Sequence, residues 1–202
     1  MSGDGALGPF APPETATART GRLLVARPDL RDPNFAGSVV LLLNHSDEGS
    51  LGVVLNRPLE AGAGDVLPAW AGRTSPPDRL FQGGPVGLTS AIGVAVLPGD
   101  GPEPLGVRRL VGAFAVVDLD APPDLVRPAV AGLRIFVGHA GWGAGQLDDE
   151  LVQGSWYVVA AEPNDVVTRD AASLRRAVLR RQPTALALLS TFPDSARRVS
   201  DN

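Results

Sequence analysis

The sequence predicts one mixed α+β domain built on a mixed β-sheet, not a doubly wound α/β fold. Three observations carry this expectation. Apolar runs of strand length recur along the chain without the regular alternation with helical patterns that a doubly wound sheet requires. The early strands are separated by a turn short enough for a hairpin. With 202 residues, 44% of them hydrophobic, the chain can bury one sizeable core.

The elements follow in order. Residues 1–20 are rich in Gly, Ala, Pro and Thr, with Leu7 and Phe10 the only large apolar side chains after Met1, and read as a disordered or loosely attached tail. Residues 23–26 are a short buried strand. Pro28 and Pro33 then favour turns. Residues 38–45 hold an unbroken apolar run, as expected of a strand covered on both faces. Turn residues at 46–50 and a third strand over 51–56 predict a hairpin, stopped by Arg57-Pro58. A short helix is expected over 65–70, capped by Asp65 with Pro68 in its first turn. Residues 80–82 and 91–97 read as strands around the Gly83-Gly84-Pro85 turn, and 98–106 as an exposed Pro/Gly loop.

Residues 110–117 read as one strand, and Asp120 or Asp124 as the cap of a helix to Ala131. The central strand covers 133–137 and runs into a glycine-rich loop, from which a helix over 146–152 departs. Residues 155–160 are the last clear strand. Asp170 caps a helix to Arg181 whose apolar stripe is Leu174, Ala177 and Val178. Residues 185–189 suit helix or strand. Residues 193–202 read as a frayed tail, which leaves 21–192 as the single domain.

Composition excludes several chemistries. With 22 acidic and 18 basic residues the net charge is −4, and the pI is near 5.1. That balance speaks against a general nucleic-acid or membrane-surface binder. No apolar stretch reaches the ~18 residues of a membrane span, and no secretory signal opens the chain, so the expected compartment is the cytoplasm. The absence of cysteine removes disulfides, thiolate nucleophiles and cysteine-held zinc. The absence of lysine removes Schiff-base chemistry and a P-loop.

The run Gly138-His139-Ala140-Gly141-Trp142-Gly143-Ala144-Gly145-Gln146-Leu147 concentrates the remaining possibilities. A glycine-rich turn opening a helix can hold an anion on backbone N–H groups, or simply turn tightly beneath a packed tryptophan. The dinucleotide fingerprint is not met, because Gln146 stands where glycine or alanine is needed. His45 and His139 are the only histidines, and each can serve as a base or as a structural group. Asp148-Asp149-Glu150 suits a solvated helix start. Arg169, Arg175, Arg176, Arg180 and Arg181 make the C-terminal segment locally basic, as the solvent face of an amphipathic helix or as phosphate contacts.

The 138–147 run resembles the Gly-Tyr-Ala-Gly-Trp-Gly-Pro-Gly-Gln-Leu signature of the bacterial YqgE/AlgH family. Three further segments agree in order: residues 21–28 with Asp32-Pro33-Asn34-Phe35, the stretch from His45 through Asn56-Arg57-Pro58-Leu59, and Gln82-Gly83-Gly84-Pro85-Val86. Trp156 falls at the family's later tryptophan. The resemblance implies a bifurcated mixed sheet with a small closed β-barrel portion, flanked by helices. It brings no assigned activity, substrate or cofactor, and a transcriptional-regulator label for some members. Two positions depart from the pattern: His139 replaces tyrosine and Ala144 replaces proline.

The functional expectation is a non-catalytic cytoplasmic binding or regulatory domain that meets a protein partner or a small anionic ligand. The candidate ligand-binding set is His45, Asn56, Arg57, Gly83, Gly84, Gly141, Trp142, Gly143 and Gln146, with no catalytic residue, metal or cofactor. The alternative is an enzyme acting on a phosphorylated or nucleotide ligand, with Arg57 and the 138–147 loop on the phosphate and His45 as base. Direct DNA binding through the arginine-rich 169–181 segment ranks last on charge.

Overall fold

A computed structural model of the chain describes residues 20–191, so the expected tails over 1–20 and 193–202 lie outside the described residues, apart from Thr20. Among the described residues ten strands join one sheet. They are β1 (Arg22–Ala26), β2 (Val39–Ser46), β3 (Gly49–Val54), β4 (Pro58–Gly62), β5 (Arg79–Gln82), β6 (Val86–Val96), β7 (Val107–Val111), β8 (Phe114–Val117), β9 (Gly132–Gly143) and β10 (Trp156–Ala160). The main path is β10-β1-β2-β3-β9-β6-β8-β7.

The sheet forks at β9. One edge of this strand pairs β6 along most of its length, from Val96↔Gly132 to Ala91↔Val137. The other edge carries two different neighbours. Parallel β5 pairs at Phe81↔Phe136 and Gln82↔Val137, and antiparallel β3 takes over from Gly52↔Ala140 to Gly49↔Gly143. The Gly83-Gly84 turn fills the crotch. Gly83 donates its N–H to Val137 O at 2.8 Å and accepts the Val54 N–H at 2.8 Å, tying both branches together. A Cβ on Gly83 would lie 2.3 Å from Gly138 O, and one on Gly84 2.2 Å from His139 C, so only glycine allows this approach.

Period-two alternation explains the unbroken apolar runs. Leu23, Val25, Val39, Leu41 and Leu43 enter one core, while Leu24, Ala26, Val40 and Leu42 enter another on the opposite face. The first core lies inside the curl of the sheet and is also met by Leu174 and Val178 of α5 (Leu174–Arg180). A third core packs Trp70, Leu80, Leu133 and Ile135 on the outer face of the other branch. The curl brings the two ends of the path together: a Cβ on Gly21, beside β1, would touch Val111 of β7. The result is a mixed α+β fold whose sheet, antiparallel apart from the β5–β9 pair, curls into a half-barrel flanked by short helices.

Several local expectations need correction. Residues 110–117 are not one strand but the end of β7, a two-residue turn and β8, because Gly112 adopts a left-handed φ of 54° and reverses the chain. The β2–β3 hairpin turns on Asp47-Glu48 alone, so β3 starts at Gly49. Chain pairing resumes at Pro58, where β4 joins β5. The helix expected over 65–70 is one turn, α1 (Ala63–Val66), followed by a 3-10 turn (Pro68–Trp70). Asp65 sits inside it and accepts the Gly62 N–H at 2.7 Å instead of standing at its N-cap. Likewise α2 (Pro123–Val126) gives way to a 3-10 turn (Arg127–Ala129) at Pro128, with Asp124 in the first turn and Asp120 outside. Residues 185–189 are helical, within α6 (Thr184–Ala187) and the 3-10 turn after it. In α5, Ala177 is exposed and Leu179 joins the buried stripe, with Leu174 and Val178 as expected.

Candidate functional site

The glycine-rich run is not a loop. Residues through Gly143 continue β9, and β9 ends against the tip of the β2–β3 hairpin. Gly145, with φ 72°, turns the chain into α3 (Gln146–Val152). Gln146 then reaches back, and its Oε1 accepts the Gly143 N–H at 3.0 Å. Its Nε2 donates to Glu150 Oε1 at 3.1 Å. The other Glu150 oxygen accepts both indoles, Trp142 Nε1–H at 3.0 Å and Trp156 Nε1–H at 2.8 Å. The two indoles pack edge to face at 6.1 Å, and Phe35 stacks on Trp142 at 5.8 Å. Trp142, Gly143 and Gln146 therefore lock α3 onto the sheet through one carboxylate.

This geometry bears on anion binding. The Gly143 N–H already has an acceptor, and α3 has seven residues. Asp148 and Asp149 occupy its first turn, adding negative charge where a phosphate would sit. Gly141 is exposed within β9, beside the His139 ring.

His45 lies close to this corner. It pairs across the hairpin with Ser50, Nδ1 to Oγ at 2.7 Å, and its Nε2 faces Asp148 Oδ1 at 3.8 Å. His139 lies on β9 near Gly87, away from His45 in the register.

Asn56 and Arg57 occupy the opposite end of β3. The six residues of β3 separate the two ends by roughly 17 Å at the usual strand rise. Asn56 Oδ1 accepts the Val39 N–H at 2.9 Å and its Nδ2 donates to Gly37 O at 2.9 Å. Arg57 Nη2 reaches Pro33 O at 3.3 Å and Ala36 O at 3.4 Å. Burial lowers the Arg57 pKa, partly offset by Asp32. These two residues pin the 33–38 turn to the sheet. The candidate set thus divides three ways: His45 with Gly141, Trp142, Gly143 and Gln146 at one corner, Gly83 and Gly84 at the fork, and Asn56 and Arg57 at the far end.

The arginine-rich segment divides as well. Arg175 is buried and donates to Ala26 O at 3.1 Å, not to solvent as its place in the sequence implied. Arg181 makes a two-pronged pair with buried Asp165 at 2.7 and 2.5 Å, which raises its pKa. Arg134, fully buried on β9, stacks over Phe81 at 4.1 Å and donates to Pro76 O at 3.1 Å, and burial brings its pKa down to about 10. Among the described residues no cluster of three or more His, Asp or Glu side chains is placed to hold a metal, and no helix is long and apolar enough to cross a membrane.

None of the candidate residues lines the concavity found among the described residues. A cavity of about 610 Å³ opens at one end of the half-barrel. Its apolar wall is Leu43, Leu51, Ile92, Leu110 and Val116, the partly covered margin of the inner core. Thr20, Asn44, Arg108 and Arg109 complete the lining. These residues come from five strands and the segment before β1, so no local spacing reveals them. The available signal was weak: an Arg-Arg pair interrupting an apolar strand.

Comparison with known proteins places these observations in a family. The AlgH-like family model matches residues 23–187. A relative from Streptomyces coelicolor is 58% identical over 178 residues, covering 87% of this chain and 92% of that protein. One from Mycobacterium leprae is 45% identical over 191 residues, covering 94% and 95%. A crystal structure of a Corynebacterium diphtheriae protein superposes with a TM-score of 0.82 at 36% identity, covering 87% of this chain and 93% of that one. The solution structure of the AlgH protein from Pseudomonas aeruginosa gives 0.60 at 26% identity, covering 86% and 94%.

Proposed function

The chain belongs to the AlgH-like family, and on that premise we propose that it is a non-catalytic binding domain whose ligand is a small organic molecule held in the half-barrel cavity. The observation that carries this reading is the cavity itself. Its volume of about 610 Å³ lies inside the roughly 300–1,000 Å³ range of small-molecule sites, and its wall is core-like while its rim is polar. The motif residues support the same reading by their occupation elsewhere: Trp142, Gly143, Gln146 and Asn56 spend their polar groups on the fold. A regulatory role would follow if occupancy changes what the surface contacts. The link to transcription rests on family resemblance alone. The proposal takes residues 21–192 as the functional unit and the cytoplasm as its compartment, which cell fractionation checks.

The enzyme reading has one observation in its favour, the contact of His45 with Ser50 and its approach to Asp148. Arg57, its expected phosphate contact, serves the far end of β3.

The test is a thermal-shift panel of apolar organic acids, nucleotides, phosphorylated metabolites, divalent metals and duplex DNA. A ligand at a hundred times its Kd stabilises by about 2.7 kcal/mol, or roughly 5–10 °C for a domain of this size. The expected result is a dose-dependent shift from apolar-bodied compounds that Leu110→Trp abolishes. A shift from phosphorylated compounds that survives Leu110→Trp but is lost in His45→Ala would transfer the site to the motif corner and overturn the proposal.

A further inference from the structure

We infer that the cavity selects an amphipathic organic anion, with Arg108 holding the anionic end and the apolar wall holding the body; this rests on the cavity being the ligand site. The first support is charge. The protein carries more acidic than basic residues, 22 against 18, yet the lining holds two arginines and no carboxylate. Asp100 pairs with one of them, Arg109, from outside the lining, so the charge that favours an anion there is that of Arg108.

The two arginines are not equivalent. Arg109 is committed to the loop before β7 and to the β7–β8 turn. Its guanidinium donates to Gly99 O at 2.8 Å, to Gly101 O at 3.2 Å and to Gly112 O, with Asp100 at 3.9 Å. Glu103 accepts its backbone N–H at 3.1 Å. Arg108 has no side-chain hydrogen bond or ion pair among the described residues, and it is exposed at the rim. It is the cation left free to meet a ligand.

The second support is backbone geometry. Neighbouring residues of a regular strand face opposite sides, yet Leu43 and Asn44 both line the cavity, as do Arg109 and Leu110; Arg108, before the bulge, shares the face of its regular partner Val116. The register of β2 against β3 shifts between Leu42 and Asn44, and that of β7 against β8 shifts between Arg109 and Val111. Bulges of this kind re-aim side chains and gather next to binding sites. Here one flanks each side of the cavity. Arg108 pairs in register with Val116, an apolar wall residue, so the cation and the apolar surface adjoin. A ligand bridging them needs an apolar body and a carboxylate, sulfonate or phosphate at one end.

Two fluorescent dyes with the same aromatic body separate the claims: anilinonaphthalene sulfonate, an anion, and N-phenylnaphthylamine, which is neutral. Both are titrated into the full chain and into its Arg108→Gln and Leu110→Trp variants. Loss of one partly exposed charged contact predicts an anion affinity about threefold to tenfold weaker in Arg108→Gln. The neutral dye should stay within about twofold, and added salt should narrow the gap between wild type and variant. Leu110→Trp should weaken both dyes. Equal effects of Arg108→Gln on the two dyes, or none on either, overturn the inference while leaving the cavity as a ligand site. If neither dye binds the wild type, the cavity reading falls too. Dye binding that emerges only in a Leu7→Asp/Phe10→Asp variant would make the chain's own N-terminal segment the occupant and overturn the inference.

Discussion

Replacing Glu150 with alanine tests whether the most distinctive run of the sequence is structural. The Glu150 carboxylate accepts the indole N–H groups of Trp142 and Trp156 on one oxygen and the Gln146 amide on the other. Trp142 is 5% exposed and Trp156 3% exposed, so neither indole has ready access to water. Gln146 is exposed and can turn to solvent at little cost. Alanine therefore strands two buried donors. At about 1–3 kcal/mol for each buried polar group left unsatisfied, the expected loss for the two is about 2–6 kcal/mol. At roughly 2–4 °C per kcal/mol for this chain length, the Tm should fall by roughly 4–24 °C. Calorimetry measures the fall, and tryptophan emission reports the two indoles directly. Glu150→Gln keeps one acceptor oxygen and should lose less. An alanine variant within about 0.5 kcal/mol of wild type would refute the lock, because the carboxylate would then be free for another role.

Asn56→Ala should lower the urea midpoint by about 1–3 kcal/mol of stability with an unchanged slope, because it leaves the buried Val39 N–H without its acceptor. An unchanged midpoint would show that Asn56 does not pin the 33–38 turn. Hydrogen bonds from Ser173, side chain first and then backbone, hold the Asp170 carboxyl below its usual pKa of 3.8. A depressed folded pKa contributes stability above the unfolded value and loses it as pH falls through the folded one. Asp170→Asn should therefore cost stability at neutral pH, and its deficit should vanish in acid below both values. A deficit that grows on acidification would refute the assignment.

Much of the fold is legible in the sequence because strand burial is a local pattern. The run from Val39 to Leu43 is apolar without interruption because its side chains alternate between two cores, and the sequence shows that as a strand covered on both faces. The hairpin turn at Gly112 is harder to see. Phe114 to Val117 continues the apolar character of residues 110–111, and pattern alone joins them. The sequence predicts a short helix around Pro68 and a longer one to Ala131, but no local pattern shows that each gives way to a 3-10 turn at its proline.

The candidate site was less legible, for a definite reason. Motif matching ranks residues by how distinctive they are, and a distinctive residue can equally be a structural lock. Gln146 and Glu150 satisfy each other and the backbone, which no spacing rule announces.

By itself the sequence determined the mixed α+β class, the main strand segments, the family resemblance, and the absence of cysteine and lysine chemistry. The class, the strands and the excluded chemistries follow from composition and from periodicities of two or a few residues, and the resemblance follows from four ordered motifs. Only the tertiary structure decided that β9 forks the sheet, that Asn56 and Arg57 lie a strand's length from His45, and that Arg108 meets Leu43, Ile92 and Val116 around one cavity. The physical reason is that curl and register are collective. They depend on where two bulges fall and on glycine contacts such as Gly84 against His139, between residues distant in the chain.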